Sequence, residues 1–325
     1  HADRIEHLKL LQFLFAEQWS GLRAHARARG IEFIGDVPIY VAYDSADVWA
    51  HRDHFQLGGD GNALHVSGVP PDFFSATGQL WGTPLYDWSA RGAALTAWWL
   101  DRLRAVRDLT DKVRIDHFRG LVRYWKVPAH AKTAKPEDGA HWADGPGEGF
   151  FHALAAAFPG ALIAEDLGEI TPDVVEVMSR FAFPGMKVLQ FAFGGEKFWE
   201  SGYLPDKHPA SSVAYTGTHD NDTTLGWLSA MGAPERENLR AYLRSRQIPV
   251  PADDAGLAWE VLRLTLGSPA QTAILPMQDV LGLGGEARMN TPGTASGNWG
   301  WRMIAAASED AALRLRALTR ESGRA

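Results

Sequence analysis

Cysteine is absent from this chain of 325 residues. Its absence excludes disulfide bonds, thiol nucleophiles and cysteine metal ligands, and fits a reducing compartment, so we expect a cytoplasmic protein. Long apolar runs are missing as well. No stretch approaches the roughly 18 to 20 consecutive apolar residues that a membrane-spanning helix requires, and we expect no membrane partner.

Clustered positive charge is also missing. The sequence has 32 Lys and Arg against 39 Asp and Glu, a formal net charge of −7. Binding to nucleic acid depends on patches of basic residues that face the phosphates. We therefore expect no nucleic-acid partner.

Signatures of cofactors and metals do not occur either. The sequence contains no Walker A pattern and no HExxH, and residues 282–285 lack the spacing of a dinucleotide fingerprint. His51 and His54 lie in a segment that is predicted to be irregular, which is a poor frame for a metal site. We predict an activity that needs neither a cofactor nor a metal.

Aromatic residues, by contrast, are abundant, with 13 Trp, 7 Tyr and 15 Phe. Flat apolar rings with a polar edge suit the faces of sugars, which makes carbohydrate the first candidate ligand. Apolar residues make up 46% of the chain, enough for a large core. The length fits one α/β barrel, a fold of about 250 residues or more.

Strand and helix patterns alternate along most of the chain. Helical spacing of apolar residues, with caps at several ends, predicts helices at residues 5–29, 95–109, 149–158, 172–180 and 234–246. Short apolar runs predict buried strands at residues 31–37, 112–118, 161–167, 185–193, 211–220 and 272–280. The alternation predicts a parallel sheet, and the acidic residues that end several strands favour a (β/α)8 barrel with two strands missing.

Two segments interrupt this alternation. Residues 43–88 are rich in Gly, Pro, Asp and aromatics without clear periodicity, which predicts an irregular substrate or acceptor loop. Residues 225–267 have a helical pattern and are predicted to form a helical subdomain. We predict a single catalytic domain over residues 1–325 with these two insertions.

Three predicted strand ends carry groups that could act in catalysis. Arg114 and Asp116 point to the same face of their strand, so the positive charge should keep Asp116 ionised, as a nucleophile requires. A purely structural ion pair is the alternative reading. Glu165 and Asp166 follow an apolar run, where desolvation would raise the pKa of at least one of them and suit a general acid, although a following helix N-terminus would also favour an acidic residue there. With His219, Asp220 and Asp222 at a third strand end, the carboxylates suggest glycoside chemistry.

Eight longer motifs resemble a known family. In order, they are GDVPIYVAYDSADVWAH, GVPPDFFS, GQLWGTPLYDW, VRIDHFRG, AEDLGEITPDV, PGMKVLQFAF, YTGTHDNDTTLGW and ARMNTPGTASGNWGWR, between about residue 10 and residue 302. They closely resemble the amylomaltases or disproportionating enzymes, which are the 4-α-glucanotransferases of glycoside hydrolase family 77 in the α-amylase clan. Both the order and the length of the motifs argue against chance similarity.

The resemblance implies a role for each matching residue. Asp116 would be the nucleophile, Glu165 the general acid and base, and Asp220 the carboxylate that binds and distorts the substrate. Arg114 would orient Asp116, and His219 would bind a sugar hydroxyl. Further substrate contacts would come from Asp36, His117 and the loop at residues 70–81, which includes Asp72, Phe73, Phe74, Gln79 and Trp81.

The resemblance also implies an activity. A segment of an α-1,4-glucan would be transferred to the 4-hydroxyl of another glucan or of glucose by a retaining double displacement, as in starch, glycogen and maltodextrin metabolism. Family members carry two barrel strands before the opening helix, so the corresponding N-terminal segment of its own chain is an expected partner. A retaining α-glucan hydrolase, or an inactive fragment that only binds glucan, are the alternatives.

Overall fold

Two compact units, His1–Pro184 and Gly185–Ala325, make up the chain in the computed structural model. The structure describes residues 1–71, 75–168, 170–294, 296–304 and 306–324. Each unit contains a parallel sheet of three short strands, accompanied by helices. The mixed α/β class predicted from the sequence is therefore confirmed.

The first unit contains a parallel and an antiparallel sheet. Its strands are β1 (Ile34–Val37), β2 (His65–Val69), β3 (Gln79–Pro84), β4 (Lys112–Ile115), β5 (Arg123–Pro128), β6 (His141–Asp144) and β7 (Leu162–Ala164). Its helices are α1 (Ala2–Arg27), α2 (Ala46–Ala50), α3 (Trp88–Leu109), α4 (Arg119–Val122), α5 (Glu148–Ala157) and α6 (Pro172–Arg180). The parallel sheet has the order β1-β4-β7, and the antiparallel sheet has the order β3-β2-β5-β6.

The second unit has one parallel sheet and five α-helices among its described residues. Its strands are β8 (Gly185–Val188), β9 (Ser212–Tyr215) and β10 (Thr272–Ile274), in the order β10-β9-β8. Its helices are α7 (Thr224–Ala230), α8 (Ala233–Ser245), α9 (Asp254–Leu266), α10 (Met277–Val280) and α11 (Glu309–Glu321). Residues 225–267 are thus mainly helical, as their pattern predicts.

All six predicted strands are present and every pairing among them is parallel, although β1 and β10 are only partly buried. The strands are only three or four residues long, shorter than predicted. Asp116 and Glu165 are the first residues after β4 and β7, and their amides still donate to the Val37 and Ile115 carbonyls of the neighbouring strands.

The sequence analysis missed the antiparallel sheet, as well as helix α11. Residues 43–88 were predicted to be irregular, yet they contain α2, β2 and β3. Strand β2 is stabilised by pairing with β5, about sixty positions further along the chain, so local periodicity gives little sign of it. The pairing of β2 with β3 also depends on Gly68. A Cβ at this position would lie 2.3 Å from the Gln79 carbonyl oxygen, so only glycine permits the close approach of the two strands.

Helix α3 packs against the parallel sheet of the first unit. Asp87 caps it by accepting a hydrogen bond from the Ala90 amide at 3.2 Å. Leu95, Trp99 and Leu103, at successive turns of one face, have no exposed surface and belong to the same core cluster as the β4 side chains.

Helix α1 is present as its apolar spacing predicts, but its apolar side chains do not enter the core. Leu8, Leu11 and Phe15 keep about half of their surface exposed, at 51%, 49% and 52%. The helix is attached near its C-terminal end, where Arg23 donates to Asp111 at 2.9 Å and the Trp19 indole donates to the Leu109 carbonyl at 2.8 Å. Over the described residues, no helix is both long enough and apolar enough to cross a bilayer.

Candidate active site

The carboxyl ends of β1, β4 and β7 bring one group of polar side chains together. The strands pair in register, with Asp36 opposite Arg114 and Arg114 opposite Ile163. Asp116 and Glu165 are the first residues after β4 and β7, so they emerge at the same edge of the sheet. Three strands that are far apart in sequence therefore supply one group of charged side chains.

Arg114 connects two of the carboxylates. Its guanidinium donates to both carboxylate oxygens of Asp36 at 2.8 Å, and its other terminal nitrogen donates to Asp116 Oδ1 at 2.8 Å. The arginine side chain is 9% exposed, whereas those of Asp36 and Asp116 are 47% and 43% exposed. A buried, permanently charged fork thus fixes Asp116 while leaving part of its carboxylate accessible.

Glu165 is in a different environment from Asp116. It is 8% exposed, and its two carboxyl oxygens accept hydrogen bonds from the Leu167 amide at 2.6 Å and the His117 amide at 2.7 Å. Burial raises the pKa of Glu165 to about 7, against the opposing effects of these amides and of Arg114. The site therefore contains a carboxyl group that exchanges a proton near neutral pH.

His117 contributes its backbone and its ring separately. Its φ of 49° is in the left-handed region, which is uncommon for a residue other than glycine and belongs to the sharp turn after β4. The same turn directs its amide to Glu165. Burial, followed by the charge of Arg119, lowers the pKa of the imidazole to about 3, so the ring is neutral at physiological pH.

Aromatic side chains border this group. The Trp81 ring lies edge-on to the His117 ring, with 4.8 Å between centroids, and Tyr40 approaches Trp81 at 6.5 Å. The indole of Trp81 donates to Gln79 Oε1 at 3.2 Å, and both residues are on β3. Asp72, Phe73 and Phe74, which were also predicted to contact substrate, lie outside the described residues.

His219 and Asp220 form a second group, in the unit Gly185–Ala325, on the loop that follows β9. Asn290 Nδ2 donates to Asp220 Oδ1 at 2.5 Å, and Arg288 donates to the Asp220 carbonyl at 2.6 Å. The backbone amide of Asn290 donates to the His219 carbonyl at 3.0 Å. The ring of His219 lies 5.1 Å from that of Trp299.

Sequence reasoning did not assign Arg288, Asn290 or Trp299 to the site. All three lie in the motif ARMNTPGTASGNWGWR, which carried the family resemblance, but their partners are about seventy or eighty positions away. A contact over that distance leaves no local pattern, so the motif marked the segment without revealing what it touches.

An ion-paired carboxylate beside a buried carboxyl of raised pKa is the arrangement used by enzymes that act on glycosidic bonds. No group of three His, Asp or Glu side chains suited to a metal occurs in the described ranges. The chain belongs to glycoside hydrolase family 77, whose model, described as 4-alpha-glucanotransferase, matches residues 1–306.

Individual relatives agree with the family. The chloroplastic/amyloplastic 4-alpha-glucanotransferase of Arabidopsis thaliana is 49% identical over 300 residues, which cover 92% of this chain and 50% of that protein. The 4-alpha-glucanotransferase of Thermus thermophilus is 44% identical over 327 residues, or 99% of this chain and 64% of the relative.

A solved structure is also similar. The amylomaltase from Streptococcus agalactiae in complex with acarbose matches with a TM-score of 0.92 and 33% identity, covering 99% of this chain and 64% of that one. The chain thus spans between half and about two thirds of the length of these proteins.

Proposed function

We propose that this chain carries the catalytic groups of a 4-α-glucanotransferase that acts by a retaining double displacement on α-1,4-glucans. The observation that carries the proposal is Glu165, a buried carboxyl with a pKa of about 7 located in the same group as Asp116, which Arg114 holds by an ion pair. Membership of family 77 and the names of the relatives support the choice of reaction and substrate.

In the first step, the Asp116 carboxylate attacks the anomeric carbon of a glucose unit. The glycosidic bond breaks, Glu165 gives its proton to the departing oxygen, and a covalent glycosyl ester forms on Asp116. In the second step, the 4-hydroxyl of an acceptor glucan attacks the same carbon, Glu165 takes the hydroxyl proton and the ester bond breaks. Glu165 ends protonated, as it began, because a proton from the acceptor hydroxyl replaces the one given to the leaving group, and the step needs no cofactor.

The environments of the two carboxyl groups suit these roles. Arg114 stabilises the charged form that a nucleophile needs, and the partly exposed oxygens of Asp116 leave room for a sugar. Burial of Glu165 favours the protonated form that a general acid needs. Retention further requires the two carboxyl groups to be about 5 to 5.5 Å apart, and a separation of about 6.5 to 9.5 Å would indicate inversion instead.

The remaining residues are proposed to bind substrate. Asp220 would bind the hydroxyls of the distorted sugar, with His219 beside it, and the contact from Asn290 supports a fixed orientation of the Asp220 carboxylate. Asp36 and the neutral ring of His117 would contact neighbouring hydroxyls. The loop at residues 70–81, with Asp72, Phe73, Phe74, Gln79 and Trp81, would cover the acceptor and exclude water. The acarbose complex of the Streptococcus agalactiae amylomaltase supports a saccharide ligand for this site.

The proposal extends to the architecture and the cellular setting. The two parallel sheets would belong to one (β/α)8 barrel with insertions at residues 43–88 and 225–267, and an N-terminal segment of its own chain would supply the two further strands. A cytoplasmic location would place the enzyme beside storage glucan, and the plant relatives, named chloroplastic/amyloplastic, show that a plastid can house the same family.

The test is mass spectrometry of the products formed from maltotriose. We expect a ladder that includes chains longer than three glucose units, both for this chain and for a version extended to the length of the relatives. A set of products that are all shorter than maltotriose would identify a hydrolase. Products from the extended version alone would show that these residues need the added segment for turnover.

The matched control is Asp116→Asn, which keeps the shape of the side chain and removes the nucleophilic charge. We expect transfer to fall by at least about 1,000-fold, because the covalent step is lost, with an unchanged circular dichroism spectrum. Transfer at the wild-type rate would remove Asp116 from this role.

A further inference from the structure

The loop that carries His219 and Asp220 has buried threonines at both of its ends. Thr216 follows β9 directly, and Thr224 is the first residue of α7. Neither threonine has any exposed surface. The geometry of the loop between them therefore depends on how these two ends are held.

Both ends are bound by the same carboxylate. Asp279, on α10, is 4% exposed and accepts three hydrogen bonds. The Thr216 hydroxyl donates to Oδ2 at 2.6 Å, the Thr224 hydroxyl donates to Oδ2 at 2.7 Å, and the Thr224 amide donates to Oδ1 at 2.7 Å. One side chain thus joins the end of β9 to the start of α7.

Between these ends, the loop has its own internal contacts. The Thr218 amide and hydroxyl both donate to Asn221 Oδ1, at 2.8 and 2.9 Å, and the Asp220 amide donates to the Thr218 hydroxyl at 3.2 Å. These bonds shape the tip of the loop but do not attach it to the rest of the unit. Gln190, Arg288 and Asn290 also bind the loop from outside it, and Asp279 joins its two ends.

We propose that Asp279 is a positioning residue for Asp220 and His219, and that it acts by holding Thr216 and Thr224 at a fixed separation. The inference rests on the proposed glucan transfer, because it assigns a catalytic consequence to this contact. Asp279 would not touch the sugar. Its effect would arise because a displacement of about 1 Å at a catalytic group can reduce turnover about 100-fold.

The first variants to compare are Asp279→Ala and Asp279→Asn. Alanine removes all three acceptor contacts. Asparagine can still accept from the Thr224 amide through its oxygen and donate to both threonine hydroxyls through its nitrogen. We expect kcat for maltotriose transfer to fall by about 100-fold in Asp279→Ala, with a much smaller change in KM, and to recover to within several-fold of wild type in Asp279→Asn.

A second readout does not depend on activity. Hydrogen exchange, followed by mass spectrometry, should show the amides of residues 217–223 exchanging about tenfold faster in Asp279→Ala, while β9 keeps its protection. If neither this chain nor its extended version showed transfer, the proposed function would fail, but this comparison would still decide whether Asp279 holds the loop.

Threonine variants guard against a failure to fold. Thr216→Val combined with Thr224→Val removes two of the donors at nearly constant shape, and should reduce kcat and speed the same amide exchange. Thr265→Val is the matched control, because Thr265 is equally buried but donates to the Val261 carbonyl within α9.

One result would overturn the proposal: Asp279→Ala or the double threonine variant melts at a lower temperature, but its kcat and the amide exchange in the loop are unchanged. The proposal would equally be overturned if Asp279→Asn lost as much activity as Asp279→Ala, or if Thr265→Val lost as much as the double variant.

Discussion

Glu165 owes its chemistry to its burial and to the atoms around its carboxyl group. Two backbone amides stabilise the charged form, yet loss of water has the larger effect and raises the pKa to about 7. Asp116, the first residue after the adjacent strand, instead accepts from Arg114 and keeps part of its surface in water. Two carboxyl groups of similar intrinsic acidity thereby acquire different properties.

The first residue-scale prediction concerns activity. In the proposed mechanism, the free enzyme must hold the Glu165 proton to assist the leaving group, so kcat/KM for maltotriose should fall about tenfold per pH unit above about pH 7. Glu165→Gln should be nearly inactive on maltotriose and lack this limb. It should still react with α-maltosyl fluoride, whose leaving group needs little acid assistance. Loss of activity on both substrates would argue against the acid role.

The second residue-scale prediction concerns stability. The pKa of Glu165 is raised from 4.5 to about 7, so between these pH values the folded state binds more protons than the unfolded state. The stabilisation is complete below about pH 4.5 and is lost as the pH rises through 7. The free energy of unfolding of wild type, minus that of Glu165→Gln, should fall by about 3 kcal/mol over this range. Urea titrations of both chains at several pH values would measure it, and a pH-independent difference would contradict it.

At the scale of elements, short strands and sharp turns place the side chains. Strand β4 ends at Ile115, and the left-handed turn at His117 then directs an amide to Glu165. Gly120 supports this turn, because a Cβ there would lie 3.0 Å from the His117 ring and 2.7 Å from Ile39. Helix α1 is joined to the same region through Asp111, the residue before β4, which accepts from Arg23 and from the Phe33 amide.

The prediction at this scale is that Asp111→Ala loosens α1. Removal of the carboxylate leaves the Phe33 amide and the largely buried Arg23 without that acceptor, which should lower the free energy of unfolding by about 1 to 3 kcal/mol. Chemical denaturation measures the change. Asp108→Ala is the matched control, because the structure uses only the Asp108 carbonyl as an acceptor for Arg23. Equal effects of the two substitutions would refute the assignment.

At the scale of the whole molecule, the surface charge and the substrate chemistry can be compared. The formal net charge is −7, whereas the proposed substrates, α-1,4-glucans, are uncharged. Long-range electrostatic attraction therefore cannot steer the substrate to the protein. The ion pair at Asp116 involves an arginine side chain that is only 9% exposed, so salt screens this interaction weakly.

The whole-molecule prediction is that kcat/KM for a neutral maltooligosaccharide changes by less than about twofold between 50 and 500 mM NaCl. A phosphorylated maltooligosaccharide provides the control, because an acidic surface repels it and added salt should raise its kcat/KM. A steep loss of activity with salt on the neutral substrate would indicate that charged contacts at the surface carry substrate binding.

The sequence by itself determined the chemistry that is available and much of the framework. Apolar runs predicted the six parallel strands and the motifs predicted the family, because these signals are local along the chain. The motifs also predict the roles of the three carboxylates. The tertiary structure decided what depends on distant residues. It formed the antiparallel sheet, buried Glu165 enough to raise its pKa, and brought Asn290 and Asp279 to the segment around Asp220. Burial and long-range hydrogen bonding are properties of packing, and no spacing within one segment encodes them.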